Sequence, residues 1–161
     1  MDFQQRLEKA IQRGARESGA RAQEEARRAM SENEVRRLYS QYRLELSERI
    51  EQCLRQVADQ LPGFRFEIVV NDRGWGAAVS RDDMQILSDR SRRNYFSRLE
   101  VVVRPLTPSQ VLEMAAKATV RDREIFNRSH YQRLAEVDPS AFHEVMDLWI
   151  LEFAEIYAAG S

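Results

Sequence analysis

The strongest constraint on the fold is a change of hydrophobic period at Pro62-Gly63. Residues 1–61 contain no proline, and from Val35 their apolar residues recur at helical spacing. Val35, Leu38/Tyr39, Tyr42, Leu46, Ile50, Cys53/Leu54, Val57 and Leu61 share one face, while Arg36, Arg43, Glu45, Glu48, Arg49 and Glu51 cover much of the rest. Pro62-Gly63 cannot continue a helical ladder, so the helix ends there. Beyond it the period is two. Phe64, Phe66, Ile68 and Val70 alternate with charge, as do Trp75, Ala77 and Val79, and then Leu99, Val101 and Val103. Such alternation marks half-buried antiparallel strands.

The first thirty residues carry a thinner stripe: Phe3, Leu7 and Ile11, continued only by small residues at Ala15, Ala22, Ala26 and Ala29. Gly14 and Gly19 each cost a helix about 1 kcal/mol relative to Ala. Ser31-Glu32-Asn33-Glu34 has the form of a capping box, which predicts a break near residue 30 and a fresh helix from about residue 32. The expected organisation is a helical arm over 1–31 and a single α+β domain over 32–161.

Within that domain, "NDRGWG" at 71–76 raises the question of a phosphate-cradling loop. A phosphate loop needs a helix N-terminus directly after its glycines, whereas a strand pattern follows here. The stretch therefore predicts a hairpin, with Gly74 where the turn needs a positive φ. Residues 82–96 lack any period and read as a long exposed connection. Residues 111–121 alternate and read as a fourth strand, although Thr107-Pro108-Ser109-Gln110 resembles a helix start. Asp138-Pro139 opens a final helix whose apolar face holds Phe142, Val145, Met146, Trp149, Phe153, Ile156 and Tyr157, widened by Leu148, Ile150 and Leu151. The fold class expected is α+β: a long N-terminal helical region, a mainly antiparallel sheet of three or four strands, and a C-terminal amphipathic helix packed on it.

Composition argues against several functions. The formal net charge is −1, which supplies no bulk attraction to nucleic acid or to an acidic membrane. Cys53 is the one cysteine, so neither an intrachain disulfide nor a thiolate metal cluster is available. The N-terminus is charged rather than apolar, and the reading is of a cytoplasmic protein without a membrane partner. His130 and His143 have no ligand-spaced companions, and Asp82-Asp83 reads as a solvated turn. No nucleophile elbow, P-loop or kinase pattern occurs. These residues imply no cofactor, no metal and no catalytic set.

Two surfaces remain. The first is the arm, where Phe3, Leu7, Ile11, Ala15, Ala22 and Ala26 offer a helix–helix contact to a protein partner or a second copy. The spacing of about 3.6–3.7 residues per turn suits a short bundle contact better than a long coiled coil. The second is an anion-binding group at Arg90, Arg92, Arg93, Tyr95 and Arg98, where guanidinium groups beside an aromatic ring suit phosphate and base stacking. The arm leads to the expected function, a non-enzymatic adaptor or assembly protein. The arginines lead to the alternative, a small ligand- or nucleic-acid-binding module using the sheet surface.

Overall fold

The computed structural model describes residues 2–160, with the side chains of residues 26–31 outside the description. The chain forms two compact units, Met1–Arg37 and Leu38–Ser161.

In the first unit, helix α1 (Phe3–Gln60) opens at Asp2, whose carboxylate accepts a hydrogen bond from the Gln5 amide at 2.9 Å. That cap satisfies one of the free donors of the first turn. The break expected near residue 30, the capping serine Ser31, the contact residue Ala26 and the stripe residue Ala29 all lie outside the described residues.

The second unit contains the rest of α1 and every strand. After α1 come β1 (Arg65–Asn71), β2 (Gly74–Ile86), β3 (Arg92–Val103), β4 (Val111–Val120), β5 (Arg123–Arg133) and helix α2 (Pro139–Ala159). The sheet is an antiparallel meander in the order β1-β2-β3-β4-β5. The class is α+β, as expected, but there are five strands rather than three or four. The added strand, β5, lies at an edge and exposes most of its side chains, so its sequence carries little hydrophobic alternation.

One face of the sheet is covered. Ala77 and Val79 of β2, Leu99, Val101 and Val103 of β3, and Leu112, Met114, Ala116 and Ala118 of β4 are all buried there. Over the β1–β2 side lies α1, whose Arg55 and Arg43 stack on Phe66 and Trp75 at 4.2 and 4.9 Å and which buries Leu46, Ile50 and Leu54. Over the β4–β5 side lies α2, where the Phe142 ring meets His130 edge-on at 4.7 Å and Glu152 pairs with Arg128. Phe64, just past the end of α1, packs edge-on against Phe153 and Tyr157 of α2. Asp138 caps α2 by accepting from the Ser140 amide at 3.0 Å, with Pro139 at the first helical position.

The hairpin at Asn71–Gly74 is present, and its register pairs Asn71 with Gly74 across a two-residue turn. Both glycines of the motif answer a steric demand. Gly74 has φ +145°, and a Cβ there would stand 2.1 Å from the Val103 carbonyl oxygen; at Gly76 the distance to the Val101 oxygen would be 2.0 Å. The second hairpin corrects the sequence reading. Residues 82–96 are no long connection: β2 runs on to Ile86, β3 begins at Arg92, and only five residues turn between them. Both faces of this extension are largely exposed, so selection for burial left no periodic signature. Residues 111–120 are a strand, and the helix-like Thr107–Gln110 stretch is a turn closed by the Gln110 amide on the Thr107 carbonyl at 3.0 Å. The Leu148 and Leu151 side chains do not widen the buried face of α2. Ile150 is buried, whereas those two leucines are 67% and 64% exposed.

Two outcomes follow from this packing. Gly76→Ala should destabilise the fold by about 1–3 kcal/mol, because the neighbouring backbone has to move to admit one methyl group. Urea denaturation checks it, and an unchanged midpoint would mean that β2 and β3 lie further apart than described. Trp149, at the centre of the covered α2 face, is buried. Trp149→Ala should cost roughly 3–5 kcal/mol, and a Trp75→Phe protein should show the blue-shifted emission of an indole out of water.

Candidate functional site

Among the described residues, an exposed apolar stripe lies on the arm, a groove runs between two helices of the body, and one face of the sheet is uncovered.

On the arm, Phe3, Leu7 and Ile11 are 76%, 46% and 63% exposed, and Ala15 and Ala22 are exposed on the same helix. Residues four apart lie near one another on a helix surface, so the three large side chains make one continuous strip. Arg6, Lys9, Arg13 and Arg16 line a shallow depression along another side of the helix. The arm is thus an amphipathic helix with a basic flank.

In the body, residues 49–61 and α2 enclose a groove of about 860 Å³. Cys53, Gln56 and Val57 form one wall, and Ile150, Leu151 and Ala154 form the other. Arg49 bridges the two helices, one of its terminal nitrogens donating to both Asp147 carboxylate oxygens at 3.1 and 2.8 Å. The Cys53 thiol lies 4.0 Å from Asp147. Burial raises its pKa and Asp147 adds to the rise, while Arg49 opposes it. The thiol form is favoured, which is the opposite of what a nucleophilic cysteine needs.

The uncovered face holds a small apolar cluster of Val69, Ala78 and Val102, with Ala115 packed against it. Beside it Glu100 is buried and accepts from Arg73 at 3.0 Å, with Arg98 at 3.6 Å. Arg98 also pairs with Glu67. Phe96, Lys117 and Thr119 join this group around a pocket of about 240 Å³. Among the described residues Lys117 has no ion-pair partner. Sequence reasoning missed Arg73, Glu100 and Lys117 because they come from a turn and two separate strands and meet only through register.

The arginine group singled out from the sequence is divided by the pleat. Arg98 and Arg92 fall on the uncovered face, whereas Arg93 and Tyr95 fall on the other, where the guanidinium sits 4.9 Å from the ring centre. Arg90 is at the tip of the hairpin, with φ 67°. These five residues therefore do not converge, and only Arg98 reaches the pocket. Arg121 and Arg128 are engaged within the fold. Arg121 stacks on Tyr157 at 4.4 Å and donates to its backbone carbonyl at 3.2 Å, near the negative end of the α2 dipole. The Tyr157 hydroxyl in turn donates to Asp83 at 2.8 Å, and Arg81 holds Asp83 at 2.6 Å. Asp83 is thus a structural acceptor, while Asp82 pairs with Arg65 at 3.6 Å.

Among the described residues there is no cluster of His, Cys, Asp or Glu able to hold a metal ion, and no helix is long and apolar enough to cross a membrane. Comparison with family models, curated proteins and solved structures finds no match to this chain.

Two buried phenols give the body a pH dependence. Tyr39 donates to the Arg104 carbonyl at 2.6 Å, and burial pushes its pKa up to about 12 against the pull of Arg43. Burial and the bond to Asp83 also raise Tyr157. In the unfolded chain tyrosines titrate near pH 10, so above that pH the unfolded state holds fewer protons than the native one. Stability from this source is intact below about pH 10 and should fall as pH rises towards 12. Urea melts at about pH 9 and pH 11 check the fall, which should be shallower in Tyr39→Phe. An identical slope in that variant would mean that Tyr39 is accessible to water.

Proposed function

We propose that this chain is a non-enzymatic assembly or adaptor protein that acts through helix-mediated contacts. The observation that supports the reading is the exposure of Phe3, Leu7 and Ile11 along one strip of the arm. Three large apolar side chains held in water cost roughly 1.5–3 kcal/mol each relative to burial, which a partner helix recovers. A solitary exposed leucine needs no explanation, but an aligned row is the usual signature of a contact surface. Small residues at Gly14, Ala15 and Ala22 let another backbone come close.

A second reading rests on the pocket at Arg73, Phe96, Arg98 and Lys117, which presents three cations and an aromatic ring on an open sheet face. It would suit a small anionic ligand, and binding there should weaken steeply with added salt. Two of those cations are already engaged by Glu67 and Glu100, which favours the first reading.

The paired substitution Leu7→Glu/Ile11→Glu in the full chain tests the proposal. These side chains contribute little to the body, so the melting temperature should stay within a few degrees. Light scattering on pure protein and gel filtration of native lysate should show the assembly of the wild type lost. If the wild type runs as a monomer in both settings, or if the variant assembles equally well, the proposal fails.

A further inference from the structure

We infer that the groove between residues 49–61 and α2 is the receptor for the arm of a second copy of this chain, so that two copies assemble by exchanging arms. The inference rests on the proposal that the arm mediates association, and it names the partner surface.

The occupant follows from charge. Helix α2 carries four acids, Glu144, Asp147, Glu152 and Glu155, and no Lys or Arg. Asp147 and Glu152 are neutralised by Arg49 and Arg128, while Glu144 and Glu155 have no ion-pair partner among the described residues. The α1 wall presents the neutral Gln52, Gln56 and Gln60 together with Arg49, whose charge is spent on Asp147, so it adds no free cation. The groove is therefore apolar at its floor, and Glu155 is its one charged lining residue without an ion-pair partner among the described residues. Packing α2 against α2 of another copy would bring like charges together, so self-association through this face alone is disfavoured. What fits is a helix with an apolar strip and a basic flank, and the arm has both, with Arg6, Lys9, Arg13 and Arg16 against the single acid Glu8 over residues 3–16.

Apolar surface and length agree as well. Leu151 lines the groove yet is 64% exposed, and Leu148 is exposed beside it. At 1.5 Å per residue the strip from Phe3 to Ala15 is about 18 Å long, as is the wall from Arg49 to Leu61. Reciprocal exchange gives a closed two-fold dimer in which the contact is made twice. That doubling brings a short helix contact towards the roughly 1,200–2,000 Å² of a stable interface.

Cys53 sits in the groove wall and supplies a native reporter. Ala10→Cys beside the strip or Ala15→Cys at its end, each in the full chain and sparing Phe3, Leu7 and Ile11, should give an interchain disulfide to Cys53 under mild oxidation. Peptide mapping after non-reducing electrophoresis reads that bond, and Gln12→Cys on the basic side should not form it. In parallel, Leu151→Glu/Glu155→Lys alters only exposed positions. It should raise the dimer dissociation constant at least tenfold by sedimentation while leaving the thermal melt unchanged, and about 0.5 M salt should act in the same direction. An intrachain bond, equal linkage from Gln12→Cys, a monomeric wild type, or an unchanged dissociation constant overturns the inference. If Leu7→Glu/Ile11→Glu abolishes assembly and the groove variant does not, the arm keeps its role and only the groove is reassigned.

Discussion

A five-stranded meander has two faces, and the body of this chain has helical apolar surface for only one of them. That constraint organises the rest. The α1 segment after Leu38 and the whole of α2 share the covered face, one over β1 and β2 and the other over β4 and β5. They are tied to each other by Arg49–Asp147 across their seam and by Phe64 against Phe153 and Tyr157 at the end of α1. Two helices laid side by side on a sheet necessarily leave a valley on their far side. In this chain that valley is the groove at Cys53 and Leu151.

The uncovered face has to be stable in water. It manages this with small residues and an internal charge chain rather than with a lid. Gly74, Gly76 and Ala78 keep the β2 side low, and the β3 carbonyls of Val101 and Val103 occupy the room that larger side chains would need. Glu100 is buried among Arg73 and Arg98, which satisfies a carboxylate that would otherwise be costly to dehydrate. This arrangement explains why the glycine-rich motif looks functional in sequence and is architectural in structure. The residues that resemble a loop for phosphate are there to let two strands approach.

The legibility of the chain followed burial. Strand β1 was read with Ile68 and Val70 on its dry face, yet these are 54% and 66% exposed and Val69, on the other face, is the buried residue. The other elements with a dry face announced themselves: the second half of α1, the first half of β2, the second half of β3, β4 and α2. Those exposed on both sides did not. The distal halves of β2 and β3 read as loop because Met84, Ile86, Arg92 and Asn94 on one face and Gln85 and Arg93 on the other all face water. Strand β5 was invisible for the same reason. Its hairpin with β4 uses Arg121 and Asp122 at φ 47° and 68°, positions where a sequence reader looks for glycine or asparagine. The turn is held instead by tertiary bonds, with the Asp122 amide on the Phe96 carbonyl at 2.8 Å and the Phe96 amide on the Asp122 carboxylate at 2.8 Å. Local propensity had been overruled by a neighbour distant in sequence. The arm strip was legible residue by residue, whereas the groove could not be read at all, because its two walls are about ninety residues apart and only packing brings them together.

The wide apolar face of α2 shows how a correct sequence pattern can carry two meanings. Read as a core face, it explains Phe142, Met146, Trp149, Ile150 and Phe153, all buried. Leu148 and Leu151 fit the same hydrophobic count but point away from the sheet. A helix that lies on a sheet needs an apolar arc of a little over a quarter-turn, about 100°, so an arc much wider than that has surface to spare. Such surplus is costly to keep in water and prone to unspecific association, unless charge selects what meets it. Here the surplus lies on a helix with four acids and no Lys or Arg, and under the proposed arm exchange that charge disfavours a second α2 and favours a basic helix.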